Sequence, residues 1–243
     1  MTYCVGALLD DGLVFLSDSR TNAGVDNFST FRKMTLFERT GERALVLLTA
    51  GNLAITQSVV SLLRAELEAV EPALSLYTAG TVYDAARCVG EAIRRVHERD
   101  APALKSHGLE FAASFILGGQ VAGKAPRLFQ LYAAGNFIEA TRETPYFQIG
   151  ESKYGKPIID RIVRPETSLR DAAKCALISM DSTMSSNLSV GPPLDLVIYR
   201  RDALKFDQRF SLGADDQYFQ AVRAGWSEAL RRAFRELPDP PWG

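Results

Sequence analysis

Thr2 stands directly behind Met1, and an initiator methionine is removed efficiently before a small residue. The chain would then open on a residue that carries a hydroxyl and a free α-amine together. That pairing is a nucleophile with its own general base. An α-amino group titrates at about 7.7–8.0, so near neutral pH it can take the hydroxyl proton, directly or through a water. A Met-Thr start is common, and a threonine opening the first strand explains it equally. Asp18, in Ser17-Asp18-Ser19-Arg20, and Lys33, in Phe31-Arg32-Lys33, widen the chemistry. A lysine close to the terminal amine disfavours a second positive charge and keeps that amine neutral and basic. A carboxylate beside the lysine holds it charged and oriented. A surface Asp–Lys pair, worth under about 1 kcal/mol, is the other reading of the same two residues.

Adjacent antiparallel strands would bring these residues together, and the first fifty residues read that way. Residues 3–9 and 13–17 form a hairpin about Asp10-Asp11-Gly12. Residues 33–38 and 44–48 form a second, turning at Thr40-Gly41. The apolar period then changes to that of a helix over 52–70, with Asn52 as a possible N-cap, and again over 81–99. Strands resume at 112–118, 127–133 and, with interruptions, 137–149. Helical spacing returns at 156–162 and 168–180. Residues 194–200 and 204–206 read as the last strands. A final amphipathic helix spans about 215–237, with Phe219, Val222, Trp226, Leu230 and Phe234 on one stripe. Trp226 and Phe234 are read as intrachain core in preference to assembly contacts. The order gives an α+β fold: a four-layer αββα sandwich of two antiparallel sheets between helical layers, in one domain over 1–243.

Composition narrows the function classes. The chain has 243 residues, 28 basic against 29 acidic, so no electrostatic footprint points to nucleic acid or an anionic membrane. No apolar run approaches a membrane span, and no secretory signal is expected. Cys4, Cys88 and Cys175 are odd in number and widely spaced, which suits buried free thiols in a reducing cytoplasm. His97 and His107 have no metal-binding spacing and are read as surface or loop residues. No metal or organic cofactor is implied.

Longer strings carry a resemblance. Met1-Thr2-Tyr3-Cys4-Val5-Gly6 and Leu16 to Thr21 resemble the opening of proteasome-type β subunits. Ser17 to Gly24, Ser29 to Lys33, Thr49 to Ala54, Asp181 to Asn187 and Ser189 to Leu196 are similar to the bacterial Anbu, or ancestral β-subunit, group. The resemblance covers nearly the whole chain. It implies Thr2 as nucleophile and base, Asp18 and Lys33 as its charged partners, and Gly51 as the oxyanion-hole N–H. It also implies Ser152 and Asp181 in a network near the threonine amine. A second serine belongs there, Ser185 or Ser186, with Ser186 preferred. The spacing from Thr2 to Lys33 is one residue shorter than in most proteasome β subunits. Glu151 and Lys153 depart from the glycine-rich stretch those subunits carry beside Ser152. Thr21, Phe31, Thr49 and Leu53 would flank the peptide cleft, and their mixed lining suggests an apolar side chain next to the cut.

The expectation is a threonine-type N-terminal-nucleophile peptidase acting on a peptide or protein. It would assemble as a homo-oligomeric ring or spiral, with any unfoldase partner unknown. Two alternatives stay open. The threonyl ester could pass to an amine, making an acyl-transfer or amide-processing enzyme on a specialised peptide. If Met1 stays on, the blocked amine cannot act as base and the chain is a non-catalytic assembly subunit.

Overall fold

A computed structural model describes residues 1–22, 28–67 and 75–242. Residues 23–24 of the Ser17 to Gly24 string, and 68–70 of the helix expected over 52–70, lie outside the described residues.

Five strands form the first sheet: β1 (Tyr3–Leu9), β2 (Gly12–Asp18), β10 (Tyr146–Gly150), β11 (Leu194–Arg200) and β12 (Gln208–Leu212), ordered β10-β1-β2-β11-β12. Five more form the second, in chain order: β5 (Met34–Arg39), β6 (Arg43–Gly51), β7 (Ala113–Val121), β8 (Arg127–Leu131) and β9 (Phe137–Glu139). Every pairing is antiparallel. A small ribbon, β3 (Arg20–Asn22) with β4 (Phe28–Thr30), follows β2; its three-residue strands are too short to leave a periodic signal. The helices are α1 (Leu53–Leu67), α2 (Val82–Ser106), α3 (Lys156–Ile162), α4 (Leu169–Ser186) and α5 (Gln217–Glu236).

Three apolar clusters show the layering. Cys4, Phe15, Val46, Ile116 and Val197 pack between the sheets. Strand alternation sends Tyr3, Val5, Leu16 and Leu196 the other way, against Ile159 of α3 and Cys175, Ala176 and Met180 of α4. On the opposite outer face Leu45, Leu47, Phe115 and Phe129 meet Ile55 and Val59 of α1 and Val89 and Ile93 of α2. The result is helix, sheet, sheet, helix, as the αββα expectation requires. Side chains such as Tyr3 and Phe15 are fully buried, each contributing roughly 1.5–3 kcal/mol.

Several boundaries differ from the sequence reading. Helix α2 runs on past Arg99 to Ser106, through Pro102; this last stretch is mostly exposed, so no apolar stripe marks it. Helix α4 runs on past Met180 to Ser186; its buried face turns polar there, with Asp181 and Thr183 inside, so no apolar stripe marks the extension. The expected strand at 204–206 is not one. Leu204 has φ 49°, its N–H donates to Tyr199 Oη, and Phe206 N–H donates to Glu38, so this segment spends its backbone bonds outside a ladder. The last strand is β12, at Gln208–Leu212. The core reading of Trp226 and Phe234 fails for Phe234, which is 77% exposed, and Trp226 is half-buried; of the same stripe Phe219 is 1% exposed and Leu230 half exposed. Phe219 and Val222 of α5 pack with the apolar residues of α4, and Arg223 bonds Asp181 of α4.

Candidate active site

The strand ends that meet at one end of the sandwich build the site. β1 begins there, β2 and β6 finish there, and β5 starts there. Register fixes the neighbours: Tyr3 faces Gly150 and Cys4 faces Ser17, while Asp18 faces Leu194.

Asp18 is fully buried and Lys33 nearly so. Lys33 Nζ donates to both carboxylate oxygens of Asp18 at 2.8 Å and to the Arg20 carbonyl at 2.7 Å. The Tyr3 N–H donates to Asp18 Oδ1 at 3.0 Å, and the Gly191 N–H to Oδ2 at 3.4 Å. Burial pushes the Asp18 carboxyl above its ordinary range, opposed by Lys33 and these two N–H donors. The pair is therefore not the solvated surface pair. It is an interior ion pair tied into the backbone one residue after Thr2.

A cavity of about 450 Å³ opens over this pair. Thr2, Lys33, Gly51 and Gly150 line it together with Met1. Thr21, Thr49, Ala50, Leu53 and Thr56 complete it. Thr21 Oγ1 is buried with no hydrogen-bond partner among the described residues. Thr21, Thr49 and Leu53 thus lie where the cleft was expected, joined by Thr56 and Ala50, and the lining has no aromatic side chain. Phe31 is not part of it: its N–H is bonded to the Ser19 carbonyl and its side chain is 38% exposed.

Two glycines are required by the backbone. Gly51 has φ 115°, and a Cβ there would sit 2.3 Å from the Ala112 carbonyl oxygen. It ends β6, and Asn52 then caps α1 through Oδ1 to the Ala54 N–H at 3.0 Å. Gly150 has φ 83°, and its Cβ would lie 2.0 Å from the Thr2 carbonyl oxygen. The next residue, Glu151, donates its N–H to that same oxygen at 2.7 Å. Gly150, Glu151 and Thr56 were missed as site residues. The Gly-Glu string was visible, but nothing in it says that a far strand runs beside Thr2.

Ser152, Asp181 and Ser186 do not line the cavity. Asp181 Oδ1 accepts from Arg223 Nε on α5 at 2.5 Å. Ser186 is exposed at the end of α4, and Ser152 is half-buried, its carbonyl accepting from the Lys156 N–H. Tyr3 Oη bonds Ser179 Oγ at 2.5 Å and accepts from Gln148 Nε2, which anchors β1 against α4. His97 and His107 are exposed and do not line this cavity; His97 stacks edge-on with Phe111.

Two stacked antiparallel sheets between helices, with a buried Lys–Asp pair behind the head of the first strand, define a proteasome-type N-terminal-nucleophile fold. The family model for the proteasome subunit matches residues 2–198. The proteasome subunit beta of Haloquadratum walsbyi is 24% identical over 209 residues, covering 85% of this chain and 76% of that one. The structure of Anbu from Yersinia bercovieri is 53% identical with TM-score 0.93, covering 99% of both chains. The helical assembly of the Anbu complex from Pseudomonas aeruginosa is 49% identical with TM-score 0.93, over 99% of this chain and 98% of that one. The chain belongs to the Anbu, or ancestral β-subunit, family of proteasome subunits.

Proposed function

We propose that the chain is a threonine-type N-terminal-nucleophile peptidase, cleaving peptide or amide bonds through Thr2 once the residue ahead of it is removed. The observation that carries this reading is the buried Lys33–Asp18 pair, bonded to the Tyr3 N–H and facing a cavity shared by Thr2 and Gly51. Thr2 Oγ attacks the carbonyl carbon while the α-amine takes the hydroxyl proton. The carbonyl electrons move to oxygen, which the Gly51 N–H meets at the turn before α1. The amine returns its proton to the leaving nitrogen, and the threonyl ester then yields to water activated by the same amine. Lys33 disfavours the protonated amine, and Asp18 fixes Lys33. Thr21, Thr49, Thr56 and Leu53 suit a side chain of modest size and mixed polarity next to the cut. No step is routed through Ser152, Asp181 or Ser186.

The residues belong to one catalytic domain, which acts as an assembly of identical copies. Leu230, Phe234 and Leu237 on and after α5, and Trp242 beyond it, are all at least half exposed, an apolar surface that a neighbouring copy would cover. The helical Anbu complex of Pseudomonas aeruginosa supports the same reading. Three buried cysteines with no disulfide among the described residues suit a cytoplasmic setting. Thr2→Ala tests the proposal. It should abolish covalent labelling by a threonine-directed electrophile, and labelling that persists overturns the assignment.

A further inference from the structure

Glu151 is a buried carboxylate in a place where the chemistry of Thr2 has no evident need of one. Its side chain is 8% exposed. Its N–H holds the Thr2 carbonyl at 2.7 Å, so the two residues extend the β1–β10 ladder by one pair. Oε2 accepts from Asn187 Nδ2 at 3.1 Å, which ties the turn after β10 to the end of α4. Oε1 lies 3.5 Å from Lys153 Nζ, whose side chain is 68% exposed. One neutral amide and one loosely placed, solvated lysine leave a buried carboxylate with acceptor capacity to spare.

The sheet order says what lies around Thr2. β1 runs between β2 and β10. On the β2 side stand Asp18 and, from the head of β5, Lys33. On the β10 side stand Glu151 and Lys153. From α4 come the neutral Asn187 and, further back, Asp181, engaged by Arg223 of α5. The Arg20 guanidinium of β3 is turned to the Leu188 carbonyl. Glu151 is thus the acidic residue whose backbone is bonded to Thr2 on the side opposite the lysine, with its carboxylate buried beside that bond.

We propose that Glu151 is a positioning residue for Thr2, its carboxylate accepting a hydrogen bond from the α-ammonium that forms when Thr2 becomes the first residue. This rests on the peptidase reading above and adds to it a counterweight to Lys33. As Oγ bonds to the substrate carbon, its proton moves to the amine. The carboxylate stabilises the ammonium so formed, while Lys33 opposes it; the amine's pKa is set between the two. The proton then leaves with the departing amine.

The test reads the amine itself. The full chain is made with Thr2 as its first residue, by cleavage of an N-terminal fusion. The Thr2 α-amine is then titrated by competitive acylation against pH, scored by mass spectrometry of the N-terminal peptide. Glu151→Gln should lower the amine pKa by about 0.5–1 unit, and Glu151→Asp, which keeps the charge, should leave it within about 0.3 unit of the parent. Lys153→Gln, at an exposed side chain, should raise it. An unchanged pKa in a folded Glu151→Gln chain overturns the proposal. If that variant does not fold, Lys153→Gln decides, and no rise overturns it. Failure of the peptidase reading looks different: the amine pKa responds to Glu151, yet a threonine-directed electrophile leaves Thr2 unlabelled.

Discussion

Lys33→Ala is the sharpest perturbation of the site. It removes two 2.8 Å bonds from a carboxylate that is fully buried. Asp18 keeps the N–H groups of Tyr3 and Gly191, so it is not stripped of partners. Breaking one side of a buried pair costs about 3–5 kcal/mol, and the two remaining donors place this case near the lower end. Asp18→Asn strands the ammonium with the Arg20 carbonyl and should cost a similar amount. The double change Asp18→Asn with Lys33→Met leaves no buried charge, so the single costs should not add, with a coupling of about 2–3 kcal/mol. Urea unfolding at matched oligomeric state measures all four chains. The sign with pH is fixed. The Asp18 carboxyl already lies above its ordinary range in the folded chain, and losing Lys33 raises it further. A raised carboxyl destabilises the fold above its unfolded pKa of about 3.9, so the Lys33→Ala deficit should be full at pH 7.5 and shrink towards pH 4. A deficit below about 1 kcal/mol, or one indifferent to pH, would refute the interior-pair reasoning.

Gly51→Ala forces a side chain onto a φ of 115° and into the Ala112 carbonyl; it should cost about 1–3 kcal/mol by thermal or urea unfolding and suppress Thr2 labelling. Arg223→Ala removes the bond from α5 to Asp181; with Arg223 37% exposed, a loss of only about 1 kcal/mol is expected, together with faster hydrogen exchange along α5. The Cys175 thiol is pushed up to about 11 by burial and that of Cys4 higher still, so neither should be alkylated in the native chain at pH 8, as thiol titration before and after denaturation would report.

Much of the architecture was legible because it follows from period. The apolar run from Tyr3 to Leu9 buries both faces of β1, the helical stripe from Val82 to Val96 buries one face of α2, and that is enough to order the layers. Legibility failed where polar groups do the work of apolar ones. Asp181 and Thr183 are buried in the last turns of α4, and the apolar pattern stops before them. The strand expected at Leu204 failed because a positive φ is invisible in a residue type that rarely adopts it. At the site, Asp18 and Lys33 were readable as a charged pair at strand ends, but not as neighbours on adjacent strands: β2 and β5 belong to different sheets, and the pair closes one end of the sandwich between them. Glu151 was seen only as a departure from a glycine-rich stretch, since its pairing with Thr2 joins segments nearly 150 residues apart. Asp181 was assigned to the Thr2 network, but its bonded partner is Arg223, from a helix the motif does not include.

The central claim is that Thr2, as the first residue of the mature chain, is the nucleophile. Mass spectrometry of the purified protein after reaction with a threonine-directed electrophile tests it most directly. The account predicts an intact mass lacking Met1 and a single adduct on the N-terminal peptide, at Thr2. A chain that begins at Thr2 but carries no adduct there, or carries it on another residue, would contradict it.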